Sequence, residues 1–117
     1  MIEKALIKDL KKPKFETVLA EIEVVRNDIR GSLQDIGHWV KDEPASRSIA
    51  TIFDTPLVHY EPYGVALVIG AWNYPVQLNL SPMVAAISAG NAVVLKPSEL
   101  APATARTLSE LLPRYLD

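Results

Sequence analysis

The sequence predicts an α/β fold, an incomplete doubly wound parallel sheet preceded by a long amphipathic helix. Two short, continuously apolar runs, Val65-Ala66-Leu67-Val68-Ile69-Gly70 and Asn91-Ala92-Val93-Val94-Leu95-Lys96, have strand length and no polar alternation. That is the pattern of parallel strands covered on both faces. A helical stretch separates them and another follows. Ahead of them, apolar residues recur at spacings of three and four, the period of a helix with one buried face.

Taken in order, the opening MIEKALIKDLKKPK is amphipathic and contains acids, unlike a signal peptide. Phe15, Val18, Ile22, Val25, Ile29 and Ile36 then line one face of a helix opened near Pro13. Gly31 and Gly37 weaken this helix, which is expected to loosen or stop by His38-Trp39. Leu57-Val58-His59-Tyr60, held between Pro56 and Pro62, reads as an edge strand or connector. Between the two apolar strands, Pro75 to Ala89 reads as a helix with Gly90 just past its end. Pro82 inside that span leaves two readings, a kinked helix or one that begins at Ser81-Pro82 as cap and first residue. Leu108, Leu111, Leu112 and Tyr115 mark a second helix, ending or bending at Pro113. The order strand, helix, strand, helix is the right-handed unit of Rossmann-like folds. The composition shifts near Pro44, with nine basic and nine acidic residues through Arg47 but only three basic and five acidic afterwards. Residues 1–55 are therefore read as an N-terminal helical segment and residues 56–117 as the first part of an α/β domain.

Composition narrows the function. The chain has 117 residues, 22% charged, with a formal net charge of -2, so it is at most one domain and has no basic footprint for nucleic acid or an anionic membrane. No apolar run approaches the ~20 residues of a membrane-spanning helix, and a cytoplasmic or organelle-matrix setting is the expectation. Cysteine is absent, which excludes disulfides, thiolate metal sites and a cysteine nucleophile within these residues. His38 and His59 lack metal-ligand spacing, and there is no GxGxxG, P-loop or HExxH, so no metal site is expected.

In doubly wound sheets ligands bind beyond the carboxyl ends of the strands. Two stretches lie there. The first, Ala71-Trp72-Asn73-Tyr74-Pro75, places two large aromatics around a carboxamide where a turn needs only to bend. Asn73 can donate two N–H bonds from a neutral group to a carbonyl oxygen that becomes an oxyanion; equally, it can be a turn or cap residue. Trp72 and Tyr74 can wall an apolar channel or simply pack. The second stretch, Lys96-Pro97-Ser98-Glu99, sets a cation and a carboxylate three residues apart after a strand. Both can reach the hydroxyls of a bound sugar, or they can form a solvated pair.

From Glu61 to Leu100 the sequence EPYGVALVIGAWNYPVQLNLSPMVAAISAGNAVVLKPSEL resembles the aldehyde dehydrogenase superfamily, most closely its class 3 branch of NAD(P)-dependent fatty and aromatic aldehyde dehydrogenases. P-x-G-V, W-N-Y-P, A-G-N and K-P-S-E occur at the family's separations, and the likeness extends more diffusely back to about Leu6. The resemblance implies that the Asn73 side chain, with a backbone N–H of the catalytic cysteine, binds the oxyanion of a thiohemiacetal. It implies that Lys96 and Glu99 contact the adenosine ribose of NAD or NADP, that the Ala71-Trp72 backbone lies along the cofactor, and that Tyr74 borders the substrate channel. The family binds its dinucleotide without GxGxxG. Its nucleophilic cysteine, its general-base glutamate and the glycine turn near the pyrophosphate are expected downstream of Asp117, which makes this chain the front portion of such an enzyme, inactive alone. A non-enzymatic interaction protein that associates with a longer relative, and a partial nucleotide-binding module, are the alternative readings. Membrane attachment through a missing C-terminal region stays open. The two apolar strands need covering elements that these residues do not supply, so the isolated chain is expected to be marginally folded.

Overall fold

The computed structural model describes residues 1–116. Helix α1 spans Ile2–Leu10, and a helix of three contiguous pieces follows: α2 (Lys14–Glu16), a π-helical stretch (Thr17–Ile22) and α3 (Glu23–Trp39). Strands β1 (Glu43–Pro44) and β2 (Leu57–Val58) form a small antiparallel pair. Then come β3 (Val65–Ile69), α4 (Gln77–Ser88), β4 (Ala92–Lys96), α5 (Pro102–Leu111) and a 3-10 turn over Leu112–Arg114. Strands β3 and β4 are parallel and in register from Val65 opposite Ala92 to Ile69 opposite Lys96, with α4 as the crossover. This is the α/β arrangement the apolar runs predict, preceded by the expected long helix, which ends at Trp39 despite Gly31 and Gly37.

The sheet is covered on one face. Val68 is buried against the helical layer that also contains Val76, Met83 and Val25, whereas Val65, Leu67 and Ile69 on the opposite face are each more than 60% exposed. Val94 of β4 joins that bare face. The molecule is elongated, 63 × 25 × 23 Å, with a radius of gyration of 18.7 Å. A compact chain of this length has roughly 13–14 Å. Its long helix and bare sheet face lack the neighbours that would make it globular.

Two details depart from the periodicity. Phe15 is 78% exposed, while Thr17, Glu21 and Val25 turn inward. The cause is the π-helical stretch, whose i→i+5 ladder is wider than the α-helical period assumed for Phe15, Val18 and Ile22. Helix α4 also begins at Gln77, a turn before Ser81-Pro82, and carries Pro82 inside. It has no cap of its own, because Glu21 from the π stretch accepts from the backbone N–H groups of Val76 and Gln77, each at 2.9 Å. Asp9 of α1 does the same for α5, accepting from Ala103 N, Thr104 N and Thr104 Oγ1 at 2.7 to 3.0 Å. Both helices that follow strands are thus capped by carboxylates from the N-terminal segment, where negative charge complements the helix dipole. At the other end of α4, Gly90 takes φ +83° and Asn91 accepts from Gly64 N while donating to Ala86 O, tying the helix end to the start of β3.

Candidate functional site

The chain leaves β3 through Gly70, whose backbone lies directly over the Asn79 carboxamide of α4; a Cβ at position 70 would overlap it. Asn79 is fully buried and donates from Nδ2 to Pro75 O at 2.7 Å. That closes residues 70–76 into a tight turn between β3 and α4. Ala71, Trp72 and Asn73 are exposed on it, while Pro75 and Val76 are buried. Among the described residues the Asn73 side chain makes no hydrogen bond and caps no helix, so both of its N–H groups are available to a ligand.

The Asn73 backbone, by contrast, is held. Its carbonyl accepts from Lys12 Nζ at 2.8 Å, and the same ammonium donates to Glu21 Oε1 at 2.6 Å and stands 3.9 Å above the centre of the Tyr74 ring. Lys12 is 6% exposed and Glu21 fully buried. Burying two charges costs several kcal/mol per ion unless every donor and acceptor finds a partner. Here the ammonium meets a carboxylate, a carbonyl and an aromatic face, and Glu21 accepts from Lys12 and two backbone N–H groups. No motif in the sequence marks Lys12, Glu21, Asp9 or Asn79. The one available signal was Thr17 and Glu21 at spacings of four ahead of the apolar Val25, a second stripe that meets the apolar one there.

After β4 the arrangement is looser. Lys96 Nζ lies 3.2 Å from Glu99 Oε2, with both side chains more than half exposed. Glu99 is held below the ordinary carboxylate range, first by a hydrogen bond from its own backbone N–H and then by the ammonium of Lys96. The pair is open to solvent. A second exposed pair, His59 with Asp42, bridges the residues flanking β1 and β2, and its hydrogen bond raises the imidazole above its ordinary 6.5. A cavity of about 920 Å³ lies away from both loops, between the ends of α3 and α4 and the residues from His59 to Tyr63. The structure thus brings Ala71, Trp72, Asn73 and Tyr74 together on one loop and Lys96 and Glu99 on the neighbouring one, at the carboxyl ends of adjacent parallel strands. No helix among the described residues is long and apolar enough to cross a membrane.

Residues 8–115 match the sequence profile of the Aldehyde dehydrogenase family. Over all 117 residues the chain is 44% identical to aldehyde dehydrogenase family 3 member B1 of Bos taurus, covering 25% of that protein. It is 49% identical over 113 residues to family 3 member H1 of Arabidopsis thaliana, covering 97% of the chain and 23% of the relative. With the dimeric NADP-preferring aldehyde dehydrogenase of Mus musculus it shares 46% over 116 residues, 99% of the chain and 26% of the relative. A solved structure of Staphylococcus aureus AldH in a substrate-bound state superposes with a TM-score of 0.94 at 34% identity, over 99% of this chain and 25% of that one. The chain spans about a quarter of the length of these relatives.

Proposed function

The chain belongs to the aldehyde dehydrogenase family, and on that premise we propose that it forms part of an enzyme that oxidises fatty or aromatic aldehydes to carboxylic acids with NAD or NADP. The observation that supports this best is the disposition of Asn73, its backbone pinned by Lys12 and its carboxamide unpaired at the end of β3. A neutral donor fixed in place stabilises an oxyanion without having to reorganise at the moment of reaction. Asn73 would receive the carbonyl oxygen once a nucleophile from outside these 117 residues, which contain no cysteine, has attacked the aldehyde. Tyr74 would border the aldehyde's path.

Lys96 and Glu99 fit the ribose of a dinucleotide. They are exposed and adjacent, so Glu99 can accept from ribose hydroxyls while Lys96 donates to them or meets a 2′-phosphate. The Ala71-Trp72 backbone would run alongside the cofactor. The bound nicotinamide supplies the hydride acceptor. Residues 1–55 act in this reading as the helical segment that caps and orients the α/β portion, residues 56–117 as the first part of the NAD(P)-binding domain, and the setting is cytoplasmic. The bare sheet face supports association with the rest of a longer relative.

The test is a fusion in which this chain replaces the corresponding first quarter of a family 3 relative. The fusion is expected to reduce NAD(P) with an aldehyde, and Asn73→Ala to lower kcat by roughly 10²- to 10³-fold. An Asn73→Ala fusion with undiminished turnover sinks the oxyanion role. The 117-residue chain alone is expected to give no NAD(P)H above a blank, and calorimetry is expected to find NAD(P) binding weaker than ~1 μM. Tighter binding would favour the second reading, an autonomous nucleotide-binding module.

A further inference from the structure

We propose that Lys12, held by Glu21, is a positioning residue for the loop that carries Asn73 and Tyr74, an inference that rests on reading Asn73 as the oxyanion donor. One buried ammonium touches both candidate residues: it donates to the carbonyl of Asn73 at 2.8 Å and sits 3.9 Å over the ring of Tyr74. Loss of that one group releases the peptide between them.

The surrounding backbone is shaped to present this pair. Lys11, at the end of α1, has φ +55° and is the one residue other than glycine with positive φ among the described residues. This left-handed turn, closed by Lys11 N to Ile7 O at 3.0 Å, reverses the chain so that Lys12 points inward while Lys11 stays outside. Glu21 in turn stands on the π-helical stretch, a rare geometry concentrated at functional sites. Two irregularities close together in sequence converge on one ion pair. A pair of apolar side chains would fill the same space at lower desolvation cost, but it could not donate to Asn73 O. The aim of a loop is therefore the property the pair secures. An oriented donor loses its worth steeply when displaced, because the oxyanion it serves forms at one point.

The experiment uses the fusion described above. Lys12→Met with Glu21→Gln removes both charges together, keeps the stem volumes, and retains an amide oxygen to accept from Val76 and Gln77. Amides in residues 70–78 are expected to exchange hydrogen about tenfold faster or more, as a loosened local unit does. Turnover is expected to fall about 10- to 100-fold while KM for NAD(P) stays within about twofold, since the interaction served is made in the transition state. Combined with Asn73→Ala, the double variant should turn over no more slowly than Asn73→Ala alone, because both changes disable the same donor. Unchanged exchange in residues 70–78, or a loss that multiplies with that of Asn73→Ala, overturns the proposal. If the double variant does not fold, Lys12→Leu with Glu21→Gln, which likewise strands no charge and keeps the acceptor for α4, is put through the same measurements, and the same two results support or overturn the proposal. Should Asn73→Ala be silent in the otherwise unaltered fusion, the oxyanion reading fails by itself, and the exchange result still decides whether Lys12 orders the loop.

Discussion

The loops that leave the two parallel strands are built in opposite ways. After β3, the turn over residues 70–76 is fixed by a buried ion pair, a buried carboxamide and a glycine packed against that carboxamide, and it presents Ala71, Trp72 and Asn73 to solvent. After β4, the Lys96-Pro97-Ser98-Glu99 turn carries its charged groups in the open, joined by one solvated contact. The difference matches the roles proposed for the two loops. A donor to a developing charge must be aimed before the reaction, whereas groups that grip a ribose can settle on it as it binds.

The largest expected effect breaks the first loop. Lys12→Met alone strands the Glu21 carboxylate in the interior and should lower the stability of the fusion by about 3–5 kcal/mol, whereas Lys96→Met should leave its melting midpoint where it was. Equal midpoints for the two variants would erase the contrast. Next comes Gly70→Ala, whose new methyl group meets the Asn79 carboxamide; overpacking of this kind costs about 1–3 kcal/mol. Asn79→Ala in the same background should return part of the loss, and a strictly additive pair would show that the two residues do not share the space.

A smaller effect concerns the caps. Asp9→Ala removes three acceptor contacts at the start of α5 and should cost about 1–2 kcal/mol, read most directly as faster exchange of the amides from Ala103 to Ala105. Exchange unchanged there would mean that water replaces the carboxylate at no cost. The smallest effect sharpens the second loop. Because Glu99 titrates below its ordinary value when folded, its interactions contribute above about pH 4.5 and are lost as the pH falls through the folded value. Lys96→Met should move the Glu99 titration upward by nuclear magnetic resonance but not all the way, since the backbone hydrogen bond remains. A complete return would assign the whole shift to the lysine.

What the sequence determined by itself was whatever local pattern can encode. Continuous apolar runs set β3 and β4, turn chemistry set Gly90 past the end of α4, and the strand-helix-strand order placed Asn73 and Lys96 at carboxyl ends. The motifs around them carried the family. Tertiary structure decided the rest, for reasons that no window of sequence contains. Helices α4 and α5 start where they do because acids 55 and 94 residues upstream cap them. The long helix turns Thr17 and Glu21 inward, with Phe15 outward, because a π-helical stretch widens its period. Lys12 reads as one more charge in a short basic run, and becomes a buried anchor only when Glu21, Asn73 and Tyr74 meet around it. Burial of charge depends on distant groups acting together: each is tolerated inside only when the others are in place, so its location is fixed by the fold and cannot be read one residue at a time.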